Sequence, residues 1–269
     1  MPKYKSLYIL LLFSPLLHAC NDIVTLASKG TPQVVKECML KNANHGHGII
    51  YNLDYNTQKL PTSLAGFSDF DRITYENNLP VKAESSRDKS YAIMFDYDTK
   101  GNLSHINFVG KDGEGKTFEN KSNVIVNANK QVEQIDLSLP TFNAIIQTTI
   151  AYDKNGNITK ISILKDGKQT TILENLGFDD KKSPYLGSSL SNIMVYFVVF
   201  SARIGAENTT YFINKNNVTA ARIYSINGDI DFTYQYEYND GNYPAKTNIT
   251  RKQNGKEDKY QESFSYMCE

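Results

Sequence analysis

Apolar and polar residues alternate along most of the chain in short runs, and turn residues separate the runs. The segment 232–238 is the clearest case. Phe232, Tyr234, Tyr236 and Tyr238 fall on one face of an extended strand, with Thr233, Gln235 and Glu237 on the other. Wound as a helix, the same residues would scatter their rings around the whole circumference. The punctuation points the same way. Asn-Gly occurs at 155–156, 227–228 and 254–255, and Asp-Gly at 112–113, 166–167 and 240–241. Both dipeptides tolerate the positive φ that two-residue hairpin turns require, so strands should flank each one. The pattern places strands at 158–164 and 169–173 around one such turn, and at 222–226 and 230–238 around another. Hairpins in succession predict an all-β body: an antiparallel, multi-stranded meander that forms a curved sheet or a partly closed barrel.

Two apolar stretches break the alternation. Residues 193–200 are continuously apolar and follow Pro184, Gly187 and paired serines. They fit a strand buried on both faces or a short buried helix; β-branched and aromatic content favours a loop or helical turn leading into a buried strand. The other stretch, residues 7–17, stands behind Lys3 and Lys5 and is interrupted by Ser14 and Pro15. Its length suits the core of a signal peptide and falls short of the roughly 20 residues that span a bilayer. It ends in Leu17-His18-Ala19-Cys20, which resembles a lipobox: an aliphatic residue, a small residue and the acceptor cysteine, although His18 stands where a small or β-branched residue is usual.

The expected organisation is therefore a signal peptide over 1–19, a lipidated tether over 20–35 and a single β-rich domain over 36–269. Acyl chains on Cys20, each contributing roughly 0.8 kcal/mol per buried CH₂, would hold the chain at a membrane. A plain secreted protein is the alternative. Beyond the cytoplasm disulfides persist, and Cys38 and Cys268 remain once Cys20 is acylated; they are expected to pair, the alternative being two buried free thiols. Charge adds an exclusion. The 29 basic and 29 acidic residues are interspersed, so no basic patch points to nucleic acid. Eighteen Tyr and thirteen Phe with no Trp suit β-sheet.

Three segments share a pattern: Phe95-Asp96-Tyr97-Asp98-Thr99-Lys100-Gly101-Asn102-Leu103, then Tyr152-Asp153-Lys154-Asn155-Gly156-Asn157-Ile158, and, one residue shorter, Tyr236-Glu237-Tyr238-Asn239-Asp240-Gly241-Asn242-Tyr243. A looser echo links the segments that begin at Tyr75 and Tyr243. Each reads as an aromatic strand end, a polar turn and an apolar residue opening the return strand. On these motifs, with Phe178-Asp179-Asp180 and the terminal Phe264-Ser265-Tyr266-Met267-Cys268, the chain resembles YD-repeat proteins, and more closely the YD-like lipoproteins of unknown function common in Bacteroidota. The repeats are unevenly spaced, and Asn follows the glycine where those arrays carry Arg. The resemblance implies a hairpin meander behind a lipid anchor and brings no catalytic residues.

Few residues point to chemistry. No Gly-x-Ser-x-Gly elbow is present, and His105 sits in a return strand with no partner evident from sequence. His45-Gly46-His47-Gly48 would put two imidazoles on one side of a strand, but zinc wants further ligands and none is near in sequence. The pairs Asp96/Asp98 and Asp229/Asp231 sit where turn chemistry accounts for them. Neither a metal nor a cofactor is expected. The leading expectation is a non-catalytic lipoprotein of the outer membrane, serving binding, adhesion or scaffolding, with a glycan or an envelope protein as candidate ligand. A carrier or assembly factor for a lipid, a glycan or an outer-membrane client is the alternative, and a glycan hydrolase the third.

Overall fold

The computed structural model describes residues 37–268 except 68–69, 112, 140–143, 166 and 206. The signal segment, Cys20 and the tether lie outside the described residues. The strands of the first half are β1 (Cys38–Asn44), β2 (Ile50–Tyr55), β3 (Pro61–Ala65), β4 (Arg72–Glu76), β5 (Leu79–Glu84), β6 (Ala92–Tyr97), β7 (Leu103–Lys111) and β8 (Thr117–Val126). Those of the second are β9 (Val132–Leu139), β10 (Ala144–Tyr152), β11 (Ile158–Lys165), β12 (Lys168–Lys182), β13 (Asn216–Ile223), β14 (Ile230–Tyr238), β15 (Pro244–Gln253) and β16 (Lys256–Cys268). One α-helix, α1 (Ser191–Ile204), lies between β12 and β13.

Every strand pairs antiparallel with its sequence neighbours, and β1 pairs with β16, so the sixteen strands close into a barrel. The sequence pointed to a meander of hairpins in a curved sheet or partly closed barrel, with Cys38 paired to Cys268; full closure requires the two ends of the body to meet. They meet with Cys38 opposite Cys268, joined by a disulfide across a sequence separation of 230. In the chain-entropy model a loop of that size is worth about 5 kcal/mol, and measured values often fall lower.

Alternation along each strand divides the wall into two faces. On β16, Tyr260, Glu262, Phe264 and Tyr266 turn inward while Lys259, Gln261 and Ser263 are exposed. On β14, Phe232 is buried, and the rings of Tyr234, Tyr236 and Tyr238 follow it in a stack at centroid spacings of 5.9–6.3 Å. Cross-strand ion pairs lie on the outer face: Arg222–Asp231 at 2.6 Å, Lys160–Glu174 at 2.8 Å and Lys252–Glu257 at 2.9 Å. A barrel that crosses a bilayer presents an outward apolar band roughly 25 Å tall. Here the outward apolar residues, such as Ile125, Ile145 and Leu176, are scattered among charged and amide side chains. The wall is built to face water.

Residues 183–215 fill the inside. Helix α1 buries Ile193, Met194, Val195, Val198 and Val199 in the same core as Leu40, Ile106, Ile158 and Phe232 of the wall. It packs against β5 and β12, which lie on nearly opposite sides of the ring. The continuous apolar run that suggested a buried strand is thus a helix. Enclosed by the wall except at Phe200 and Ile204 near its C-terminus, it needs no polar stripe, and tertiary burial at about 1.5–3 kcal/mol per large side chain outweighs its β-branched residues. Gly205, with φ 66°, ends it in a left-handed turn. The chain then returns through the lumen on amide hydrogen bonds. Asn208 donates to Asn175, Asn175 donates to the Ile158 carbonyl, and the Ile158 N–H donates to Asn214, all at 2.7–2.8 Å. The strand expected over 222–226 stops at Ile223.

The two ends of the barrel differ. At the end where even-numbered strands finish, six tyrosine hydroxyls donate to a backbone carbonyl near the start of the preceding strand. The pairs are Tyr55–Leu40, Tyr75–Pro61, Tyr97–Pro80, Tyr152–Val132, Tyr236–Val218 and Tyr266–Pro244, all at 2.7–2.8 Å. Five turns there share one chemistry. The side-chain oxygen of Asn56, Asp98, Asn127, Asp153 or Asn239 accepts the N–H groups two and four residues on. The third residue on has positive φ: Lys59, Gly101, Lys130, Gly156 and Asn242. The third repeat is therefore full length, with Asn242 rather than Gly241 at the strained position.

Burial pushes the Tyr97 hydroxyl up to about 12 and also raises those of Tyr55, Tyr75 and Tyr152. A tyrosine whose folded pKa exceeds its unfolded value of about 10 lends stability that is complete below that pH and is lost as the pH rises through the folded value. In an alkaline titration followed by tyrosinate absorbance and circular dichroism, the tyrosines nearest the surface should ionise first, with the fold intact. The buried set should ionise only together with unfolding. Ionisation of all the tyrosines in one reversible step, with the fold unchanged, would contradict the ladder.

Candidate functional site

At the other end, odd-numbered strands turn into even ones, and α1 delivers its C-terminus. The first turn, 45–49, leaves β1 through Gly46 at φ 74°, where the backbone N–H is held by the Asn44 side chain at 3.0 Å. A Cβ at Gly46 would sit 3.1 Å from the Gln261 carbonyl, so glycine lets this turn lie against β16. The turn points His45 inward and leaves His47 over the Tyr260 ring, at a centroid distance of 4.8 Å.

His45 is buried and committed at both nitrogens. Nδ1 lies 2.7 Å from Glu262 Oε1, and Nε2 lies 2.7 Å from the Tyr185 hydroxyl. A neutral imidazole satisfies all three groups when Nδ1–H donates to the carboxylate and Tyr185 donates to Nε2. The His45 ring also stacks on Tyr211 at 4.9 Å and meets Tyr51 at 5.2 Å. Burial first, then Tyr51 and the Glu262 carboxylate, hold the Tyr185 hydroxyl well above the usual tyrosine range; burial, Tyr185 and Glu262 do the same for Tyr211. Neither hydroxyl gives up its proton near neutrality, so the chain Glu262–His45–Tyr185 ends in the core rather than at a nucleophile.

Above this aromatic floor opens a cavity of about 540 Å³, within the range of roughly 300–1,000 Å³ typical of small-molecule sites. His45, Tyr51 and Tyr211 line it from below, and Phe197, Phe200 and Ile204 of α1 line one side. Charged groups of both signs reach it: Glu207 from the returning segment, and Arg251 and Asp258, which face each other across β15 and β16. Arg251 donates to the Gln253 side chain at 2.7 Å. Thr209, 5% exposed, also lines the cavity, and its hydroxyl has no hydrogen-bond partner among the described residues. At the rim Phe200 is 44% and Ile204 62% exposed.

The residues singled out from sequence fall elsewhere, or fall here for other reasons. His45 and His47 share the cavity wall, but both nitrogens of His45 are already engaged. No group of three or more His, Cys, Asp or Glu able to hold a metal occurs among the described residues. His105 faces outward opposite Asp96, near the Ser104 hydroxyl. Asp98 holds its turn, and Asp231 pairs with Arg222 on the outer wall. Of the cavity's polar groups, His45 and His47 stood out in the sequence, while Glu207, Thr209, Arg251 and Asp258 gave no local signal. His45 and Glu262 are 217 residues apart, and barrel closure alone brings them together. Glu262, which holds His45 from beneath the cavity, leaves a trace of its own as a carboxylate interrupting the inward row Tyr260, Phe264, Tyr266.

No family model matches the chain, and no curated protein matches it. Among solved structures, it is similar to a porin-like protein from Bacteroides vulgatus ATCC 8482, with 10% identity and a TM-score of 0.50 over 86% of this chain and 99% of that one. A porin-like protein from Bacteroides uniformis ATCC 8492 aligns at 13% identity and a TM-score of 0.49, over 87% and 97%. At 10% identity the first likeness shows the barrel fold alone.

Replacing Glu262 by Leu removes the acceptor for His45 in a buried site and should cost about 2–4 kcal/mol, read as a lower urea midpoint. Glu262→Gln keeps an acceptor oxygen and should cost less than half as much. Equal losses for both would mean that the hydrogen bond to His45 is not what the carboxylate supplies.

Proposed function

We propose that this chain is an exported, lipid-anchored protein of the outer membrane whose barrel stands in water and binds a ligand in the cavity at its open end. The observation that carries the reading is the combination of a polar outer wall with a filled lumen. A wall carrying Lys, Glu and Gln on its outer face does not sit in lipid. A lumen packed by α1 and the returning segment neither conducts nor encloses a large cargo, which weighs against the carrier reading. The surface left for recognition is the open end, where aromatic rings, both signs of charge and an unpaired threonine hydroxyl converge. The buried tyrosines beside it hold their protons, which favours binding over hydrolysis.

Membrane attachment rests on Lys3, Lys5, the apolar run and Leu17-His18-Ala19-Cys20. The recurrent tyrosine and Asx turn supports a relationship to YD-like lipoproteins.

Two measurements test the proposal together. Metabolic acyl labelling should mark the chain, and Cys20→Ser should abolish the label. Thermal unfolding against sugars, lipids, ions and envelope extracts should show one ligand class raising the midpoint by roughly 5–10 °C at about 100 times its Kd. A labelled chain that no class stabilises would remove binding and leave a scaffold.

A further inference from the structure

Resting on that reading of the open end as a binding site, we infer that the cavity takes a neutral saccharide. The chemistry of the lining decides between ligand classes. Its floor and one wall are aromatic: Tyr51, Tyr211, Tyr260, Phe197 and Phe200 line it, with the His45 ring packed against Tyr51 and Tyr211. Flat rings of this kind accept the C–H faces of a pyranose while their polar tips stay available. The Glu262 and Tyr185 hydrogen bonds fix the His45 ring, so the floor is set before any ligand arrives.

The polar groups exclude the other classes one by one. A wholly apolar ligand would cover Arg251, Asp258, Glu207 and Thr209 without pairing them, and each unpaired group carries a desolvation penalty. An anion would meet the carboxylates of Asp258 and Glu207, and a cation would meet Arg251. A neutral polyol offers donors to the carboxylates and acceptors to the guanidinium. It also brings a hydroxyl to Thr209, whose own hydroxyl is buried and unpartnered in the protein. The exposed rings and alkyl groups of Phe200, Ile204 and Ile49 at the rim extend the platform outward, so that further sugar units of a longer glycan can continue toward solvent.

The sequence supplies the reporter. The chain contains no tryptophan, so Phe200→Trp places a single indole at the rim of the cavity. The full-length F200W chain is titrated with an array of neutral oligosaccharides, and with acidic glycans, an alkyl ammonium ion and a fatty acid in parallel; calorimetry on the wild-type chain accompanies each titration. A neutral oligosaccharide should shift the indole emission saturably, and Thr209→Val should weaken its binding by about tenfold, the loss of one hydrogen bond to an otherwise unpaired group. Arg251→Gln, on an exposed hairpin, gives the same test should the buried substitution unfold the chain. Saturable binding of the anion, the cation or the fatty acid, with none of the neutral glycans, overturns the saccharide assignment and leaves the binding reading intact. Neutral-glycan binding that neither T209V nor R251Q weakens overturns the placement in this cavity. Silence across the whole panel, by fluorescence and by calorimetry, overturns both.

Discussion

A closed ring of sixteen strands encloses more space than its own side chains can fill. Eight strands leave an interior that wall residues can just pack, whereas barrels of about this size elsewhere hold an aqueous channel. The rest of this structure follows from how that space is occupied. Residues 183–215 leave the wall after β12, run down the lumen as α1, return on a chain of asparagine and threonine hydrogen bonds and rejoin the wall at β13. With the interior apolar and occupied, the strands put their polar residues outside. That is the reverse of a membrane-spanning barrel, with the same strand connectivity.

The plug also makes the two ends unequal. At one end, tyrosine hydroxyls tie strand ends to neighbouring strand starts, and the turns repeat one Asx geometry. At the other, α1 ends at Gly205, and the segment that follows turns back into the lumen. That reversal leaves Phe200 and Ile204 uncovered at the rim and brings Glu207 and Thr209 to the cavity. The cavity is thus a consequence of where the filling segment reverses. Its aromatic floor is locked to the wall through His45, which Glu262 holds from the last strand of the ring.

The all-β body, the hairpins and the inward row of Phe232, Tyr234 and Tyr236 were legible because a period of two and a turn dipeptide are local signals. The tyrosine turns at 97 and 152 were legible for the same reason, through Gly101 and Gly156. Those at Asn56 and Asn127 were missed because Lys59 and Lys130 occupy the left-handed position there, and glycine had been the marker. Helix α1 was left open between a buried strand, which was favoured, and a buried helix, because apolar residues around most of its circumference erase the polar stripe that distinguishes a helix from a strand. Closure was legible in part, as a partly closed barrel and as the expected pairing of Cys38 with Cys268, which joins β1 to β16. The full strand count and the cavity were not, because they depend on residues far apart in the chain, and periodicity along one segment does not encode such pairings.

The most direct test of the water-facing, internally filled barrel is sedimentation of residues 21–269 prepared without detergent, compared with the same protein to which micelles have been added. A monodisperse particle in water whose mass is unchanged by micelles is expected, because the described strands present no belt of apolar surface for detergent to bind. A body that aggregates until detergent is supplied, and then carries a bound micelle, would place the wall in lipid and overturn the account.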